Sequence, residues 1–295
     1  MRSRKEGFMR RLIGCFVGLF YVCTGIRAWR VHKCRKPGVI LAICGHDPTP
    51  RVLDVLLRWL AKRGFSFTDP DELIAMKEGR VPLRGSVVWL SFDDGWSGFA
   101  DKVLPILERY NAKATIFVPP HESERGYLWT HAVKSVGGQA KVLEFYKKGL
   151  KEREDGIAGL SYGKTHVRSL MEKDELIALS QNPLVTIENH TWSHLSCYHR
   201  PTEDVIAEAK KAQEELKSWT GRTPRFLCYP FGHYGKGCDE ALREIGLIGV
   251  HSDSGIGSIA EIGLYRNMFR DDMSEVETIG RALDAWPSQH IPDAQ

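Results

Sequence analysis

Apolar positions along the 295-residue chain follow two alternating rhythms. Short apolar runs rich in β-branched residues predict strands at Val39–Cys44, Val87–Phe92, Ala114–Val118, Leu184–Glu188, Phe226–Tyr229 and Ile248–His251. Between them, helices are predicted at Pro50–Lys62, Phe99–Tyr110, Gly138–Glu152, Lys173–Ser180, Thr202–Trp219 and Asp239–Ile245. Within Asp54–Leu60 the apolar residues recur at three- and four-residue steps, as one buried helix face requires. Thr202, followed by Val205, Ile206, Ala209 and Leu216, reads as the cap of an amphipathic helix. Strand–helix alternation implies an α/β fold on a parallel sheet, either open or closed into a barrel. In such folds the carboxyl ends of the strands share the face that carries the site. Polar residues sit at those ends: His46 after the first strand, Asp93-Asp94 after the second, His190 after the fourth, and Tyr229-Pro230-Phe231-Gly232 after the fifth. The polar, Gly-rich stretch Pro120–Lys164 breaks the alternation, which predicts an insertion at about 120–165 passing over that face.

The first 36 residues differ from the rest. Leu12–Ile26 carries no charge and is bounded by Arg10-Arg11 and Arg27. It is shorter than the ~20 residues a spanning helix needs, but suits a signal-peptide apolar region or a short membrane anchor. Residues 1–36 are therefore read as a signal or anchor segment with a linker, and residues 37–295 as one catalytic domain. This places the protein at the membrane or exported into the cell envelope. A buried amphipathic helix in a cytoplasmic protein is the alternative. Five basic residues flank the run on each side, so the positive-inside rule assigns no orientation.

Charge sharpens the picture. The net +4 is carried by that segment, with ten Lys/Arg against Glu6; the body holds 31 basic and 36 acidic residues. A mildly acidic body offers no footprint for a phosphate backbone, which argues against nucleic acid as a partner. The seven cysteines contain no C-x-x-C pair, so they give no support for a structural zinc or thioredoxin-like motif.

Two motifs carry candidate chemistry. Ser91-Phe92-Asp93-Asp94-Gly95-Trp96 ends a strand in adjacent carboxylates, which repel unless a cation lies beside one of them. One ligand and one base is the natural division of labour, and a turn or capping pair is the plain alternative. His190-Thr191-Trp192-Ser193-His194 has the spacing that puts two imidazoles on one side of a helical turn, though such pairs also occur by chance. It lacks the glutamate of H-E-x-x-H zinc proteases. Glu188 and Asn189 just before it are candidate supports. Together, two His and one Asp make a facial metal site with open positions, and a second Asp can draw a proton from water there.

Ser-Phe-Asp-Asp-Gly, His-Thr-Trp-Ser-His and Tyr-Pro-Phe-Gly, in this order over about residues 38–270, resemble the polysaccharide deacetylase family, carbohydrate esterase family 4. The resemblance implies a distorted (β/α) barrel that removes acetyl groups from N-acetylated sugars. It implies Asp93 as base and Asp94, His190 and His194 as metal ligands. The opening Val39–His46 looks like the first strand of the circularly permuted, exopolysaccharide-deacetylase branch, which makes His46 the general acid. A turn-capping histidine is the alternative, and His251 is the rival acid. By the same resemblance the Phe231 N–H helps bind the oxyanion, with Tyr229 beside it. Trp129, in Tyr127-Leu128-Trp129, is either a sugar-stacking ring or an ordinary core residue. One departure stands out: Cys228 occupies the position of the arginine that braces the base, and Arg266 is its candidate substitute.

These readings point to a metal-dependent hydrolase acting on an N-acetylated glycan and releasing acetate. Zinc is the first choice of ion, with Fe, Co, Ni or Mn compatible with the same donors. The alternatives are an O-acetyl carbohydrate esterase, an Fe(II)-dependent oxygenase, which would leave Asp93 without a task, and a silent membrane-tethered glycan-binding protein.

Overall fold

The computed structural model describes residues 14–158, 160, 168–263, 265–270 and 273–284. Residues 12 and 13 of the apolar run, and 159 and 161–165 of the expected insertion, lie outside them. In chain order the strands are β1 (Val39–Gly45), β2 (Ser66–Thr68), β3 (Val87–Asp93), β4 (Ala114–Val118), β5 (Val185–Asn189), β6 (Phe226–Cys228), β7 (Ile248–Val250), β8 (Gly257–Ser258) and β9 (Asn267–Met268). The six strands expected from the pattern are all present, each within a residue at either end. The additional β2, β8 and β9 have two or three residues each, too few to show a periodicity.

The chain divides into two compact units, residues 1–91, 102–114 and 252–295, and residues 92–101 and 115–251. In the first, β2 runs parallel to β3, β9 parallel to β1, and β8 antiparallel to β1. Its buried residues include Ile40–Cys44 of β1 and Leu53, Leu56, Leu57 and Leu60 of the helix Pro50–Ala61. Helical residues 14–23 press on the helix Glu275–Ala282. A Cβ on Gly14 would stand 2.5 Å from a Glu277 carboxylate oxygen, and one on Gly18 2.2 Å from Val276. Phe16, Leu19 and Phe20 from the same stretch are exposed. Among the described residues no helix is long and apolar enough to cross a membrane.

In the second unit the strand order is β7-β6-β5-β4, with β5–β6 and β6–β7 parallel. The helices Lys173–Ser180 and Thr202–Thr220 pack on β5, and the helix Cys238–Glu244 packs on β7. Strands buried on both faces need near-continuous apolar runs, which is why β4 and β6 are buried at every position. The α/β class with parallel strands dominant is thus as the pattern implied.

Local expectations fail in three places. The helix expected at Gly138–Glu152 is replaced by Trp129–Phe145 and Leu150–Ala158. Gly138 breaks the first of these with φ 63° and ψ −163°, a conformation open to glycine. Thr202 does not cap its helix: Pro201 holds the cap position and Thr202 is the first helical residue. Finally, residues 190–194 are not helical.

Candidate metal centre

Three segments of the second unit build the site. β3 ends at Asp93, and Asp94 follows in the left-handed region at φ 75°. The chain after β5 turns through Thr191 at φ 58° and His194 at φ 51°. After β6, Phe231 sits at φ 63° in a short 3-10 turn, Pro230–Gly232. Four of the seven non-glycine residues with positive φ among those described therefore lie here. Each costs on the order of 1–3 kcal/mol, so neighbouring contacts must hold them.

Those contacts can be named. Asn189 Oδ1 accepts the Thr191 N–H at 2.8 Å while its amide donates to Ala209 O. Thr191 Oγ1 accepts the Leu195 N–H at 2.9 Å. Glu208 accepts both the N–H and the hydroxyl of Ser193, at 2.7 and 2.8 Å. Buried Arg153 donates to Ser193 O at 3.1 Å and to its Oγ at 2.5 Å. The indole N–H of Trp129 donates to His194 O at 3.0 Å. The loop is fully scaffolded, and two of its braces come from the expected insertion. Glu188 supports β6, accepting the Arg225 and Phe226 N–H groups.

The result is a tight triad. Asp94 Oδ1 lies 3.4 Å from His190 Nε2 and 3.1 Å from His194 Nε2, and all three side chains are buried. Donor atoms each about 2.0–2.1 Å from one ion stand roughly 3.0–3.5 Å apart at angles between octahedral and tetrahedral. The spacing fits a shared ion. His190 Nδ1 is 2.8 Å from Cys228 O, which fixes the tautomer that leaves Nε2 facing Asp94. Trp96 Nε1 donates to Asp94 Oδ2 at 3.1 Å, holding the other carboxylate oxygen. His194 Nδ1 is buried with no hydrogen-bond partner.

Electrostatics agree. Burial pushes His194 down to about 4, so it presents a neutral lone pair. Burial alone would also pull His190 down, but Cys228 and the carboxylates of Asp94 and Asp93 raise it well above its ordinary value. Two buried acids draw a positive charge into the pocket, as a cation site requires. Asp93 is buried beside the triad, with the Cys228 thiol donating to its Oδ2 at 3.7 Å. Asp93, His190 and Cys228 form a second buried set whose ligand atoms lie within 4.8 Å of one another.

The remaining expected residues fall elsewhere. Trp129 is 1% exposed and packed among Phe145, Tyr146, Phe231 and Arg153, so of its two readings the structure supports the core one. Tyr229 is equally buried; its hydroxyl donates to Asp239 at 2.8 Å and its N–H to Val250 O, which takes it out of the substrate contacts. His251 lies against the same Asp239 at 3.0 Å. His46 is exposed after β1 in the first unit, and Arg266 there is buried, donating to Ser91 and Ser252 hydroxyls. Sequence reasoning missed Trp96, Arg153 and Glu208, which are ordinary residue types given meaning only by contact.

The polysaccharide deacetylase family model matches residues 80–250, more than half the chain. The chain belongs to the polysaccharide deacetylase family. A curated relative, the poly-β-1,6-N-acetyl-D-glucosamine N-deacetylase of Staphylococcus aureus, is 27% identical over 153 residues, 51% of this chain and 49% of the relative. The chain thus spans about half the length of the curated relatives it matches. Among solved structures, IcaB from Ammonifex degensii has a TM-score of 0.62 at 17% identity, covering 84% of this chain and 98% of that one. The Streptococcus pyogenes deacetylase PplD has a TM-score of 0.61 at 18% identity, covering 84% and 99%. These likenesses give the family member its fold.

Proposed function

We propose that the chain is a metal-dependent hydrolase that removes N-acetyl groups from a polysaccharide or oligosaccharide and releases acetate. The observation that carries this reading is one carboxylate oxygen, Asp94 Oδ1, within 3.4 Å of two buried imidazole nitrogens beside a second buried acid. Asp94, His190 and His194 are the residues that would hold the ion, zinc first, with Fe, Co, Ni or Mn compatible with two nitrogens and an oxygen. When bound, the ion supplies Lewis acidity, polarising a carbonyl and acidifying water. Asp93 takes the proton of the attacking water. The Phe231 N–H, set by its φ of 63°, donates to the carbonyl oxygen as charge builds there. His46 protonates the departing amine nitrogen, a role that rests on the resemblance of Val39–His46 to the permuted branch. Arg266 is assigned the brace that Cys228 cannot provide, on the same basis; an Arg266→Ala chain with full activity would remove that role. Envelope location rests on the apolar run Leu12–Ile26.

The test is acetate release from N-acetylated oligosaccharides before and after chelation. Activity should vanish on chelation and return with added zinc. Turnover that ignores the chelator, or acetate release from O-acetyl esters alone, would overturn the reading.

A further inference from the structure

At ~100° per residue, the helical stretch at residues 14–23 sorts onto two faces. Gly14, Val17, Gly18 and Tyr21 share one, and Phe16, Leu19, Phe20 and Cys23 share the other. The glycine face is the one pressed on the helix Glu275–Ala282, Gly14 against Glu277 and Gly18 against Val276. The opposite face carries the large side chains, with Phe16, Leu19 and Phe20 exposed by 67, 53 and 60%. Val22, and Trp29 in the next helix Ile26–Cys34, are exposed as well. A helix on a water-facing surface is apolar toward its core and charged outside. Here the small residues meet the fold, the large apolar ones face out, and Leu12–Ile26 contains no charge. An outward apolar patch flanked by charge marks an interaction surface.

The flanking charge is basic. Arg10-Arg11 precede the stretch in sequence, and Arg27, Lys33, Arg35 and Lys36 follow it. Arg27 and exposed Arg63 both stack on the half-buried ring of Trp59, at 5.4 and 3.9 Å from its centre. Two cations brought onto one ring repel, and burial and Arg63 hold the Arg27 guanidinium below its ordinary value. An anionic group outside relieves that repulsion. A second copy docked face to face would instead set ten basic residues of one segment against ten of the other. A bilayer with anionic headgroups supplies both complements, an acyl layer for the rings and phosphates for the guanidiniums.

We propose that residues 14–23 form an in-plane membrane-binding helix, held to the fold by its glycine face and immersed in an anionic bilayer by Phe16, Leu19, Phe20 and Cys23, with Arg27 and Arg63 on the lipid phosphates. The apolar run docks the protein on a membrane surface without crossing it. The proposal does not depend on the deacetylase reading.

The test mixes the full chain with sucrose-loaded vesicles of phosphatidylcholine, alone or with one part in four phosphatidylglycerol, and reads binding by sedimentation. Wild type should pellet with the anionic vesicles, less so as salt rises. Phe16→Ser with Phe20→Ser, folded by circular dichroism, should weaken that binding about 100-fold. Arg27→Gln with Arg63→Gln should weaken it about tenfold on anionic vesicles and change nothing on neutral ones. Cys15 and Cys23, both exposed, are labelled one at a time with a thiol-reactive fluorophore whose quenching by nitroxide lipids reads depth. The eight residue steps between them span ~12 Å of helix, so an in-plane helix puts both probes at one depth and a spanning helix separates them by that distance. Wild type that does not pellet, binding unchanged in the serine variant, or probes about 12 Å apart in depth overturns the proposal. A wild-type dimer in sedimentation velocity that the serine variant loses, with no lipid binding by either, overturns it in favour of a second copy.

Discussion

Trp129 offers the sharpest test of how the fold holds the residues proposed to bind metal. Its indole N–H links the helix Trp129–Phe145 to the backbone of His194, at 3.0 Å with both groups buried. Trp129→Phe keeps an aromatic ring but removes the donor. A buried carbonyl left without its partner costs about 1–3 kcal/mol. The smaller ring adds a cavity worth about 1 kcal/mol. The loss is therefore about 2–4 kcal/mol, a large share of the ~5–15 kcal/mol typical of a folded domain. Because His194 sits at φ 51°, in a region β-carbon residues avoid, freeing its carbonyl lets the ligand relax from the geometry that faces Asp94. Supports of this kind typically carry about 10–100-fold in metal affinity. Urea denaturation and competitive zinc titration against a chromophoric chelator read the two effects separately. Phe145→Leu is the control, since Phe145 packs on Trp129 but is not itself the donor to His194. Equal losses of zinc affinity in both variants, or none in Trp129→Phe, would refute the positioning role.

Other expectations follow from the same contacts. Asp93→Asn should retain one zinc per chain yet lose about 10²–10⁴-fold in acetate release, as removal of a general base does; co-loss of the zinc would make Asp93 a ligand. Arg153→Met leaves Glu208 and Glu122 without a buried cation that faces them, costing about 3–5 kcal/mol in urea unfolding; a change under ~1 kcal/mol would show the Ser193 contacts to be idle. Glu122, fully buried, has its carboxyl pushed up to about 7 by desolvation against the pull of Arg125, from an ordinary 4.5. Between those values the folded chain keeps a proton that the unfolded chain releases. The stability it contributes is present below about 4.5 and is lost as pH rises toward 7, about 3 kcal/mol at ~1.36 kcal/mol per pH unit. Glu122→Gln preserves an acceptor for the Trp129 N–H and should flatten that slope between pH 5 and 7; an unchanged slope places its origin elsewhere.

Much of this was legible in the chain. Strands buried on both faces, such as Ala114–Val118, are near-continuous apolar runs, so their place and nearly their limits could be read directly. The Asp93-Asp94 and His190/His194 motifs mark the candidate site because adjacent acids repel unless a cation lies beside one of them. What could not be read is how the histidines reach one point. The four-residue spacing implies a helical turn, whereas the structure uses an irregular loop with Thr191 and His194 at positive φ. Period-based reasoning has no access to strained loops, because their geometry is set by distant partners. Arg153 and Glu208, 40 and 15 residues from Ser193, are such partners. Tyr229 misled for a related reason: a tyrosine within a site motif looks like a substrate contact until Asp239, ten residues on, claims its hydroxyl.

Asp94, His190 and His194 are proposed to share one ion. Equilibrium dialysis of the metal-stripped chain against zinc, read by atomic absorption, tests it most directly. Wild type should retain one tightly held zinc per chain, and His194→Ala and Asp94→Asn, each still folded by circular dichroism, should retain none. A folded variant that keeps its zinc at wild-type affinity would contradict the assignment.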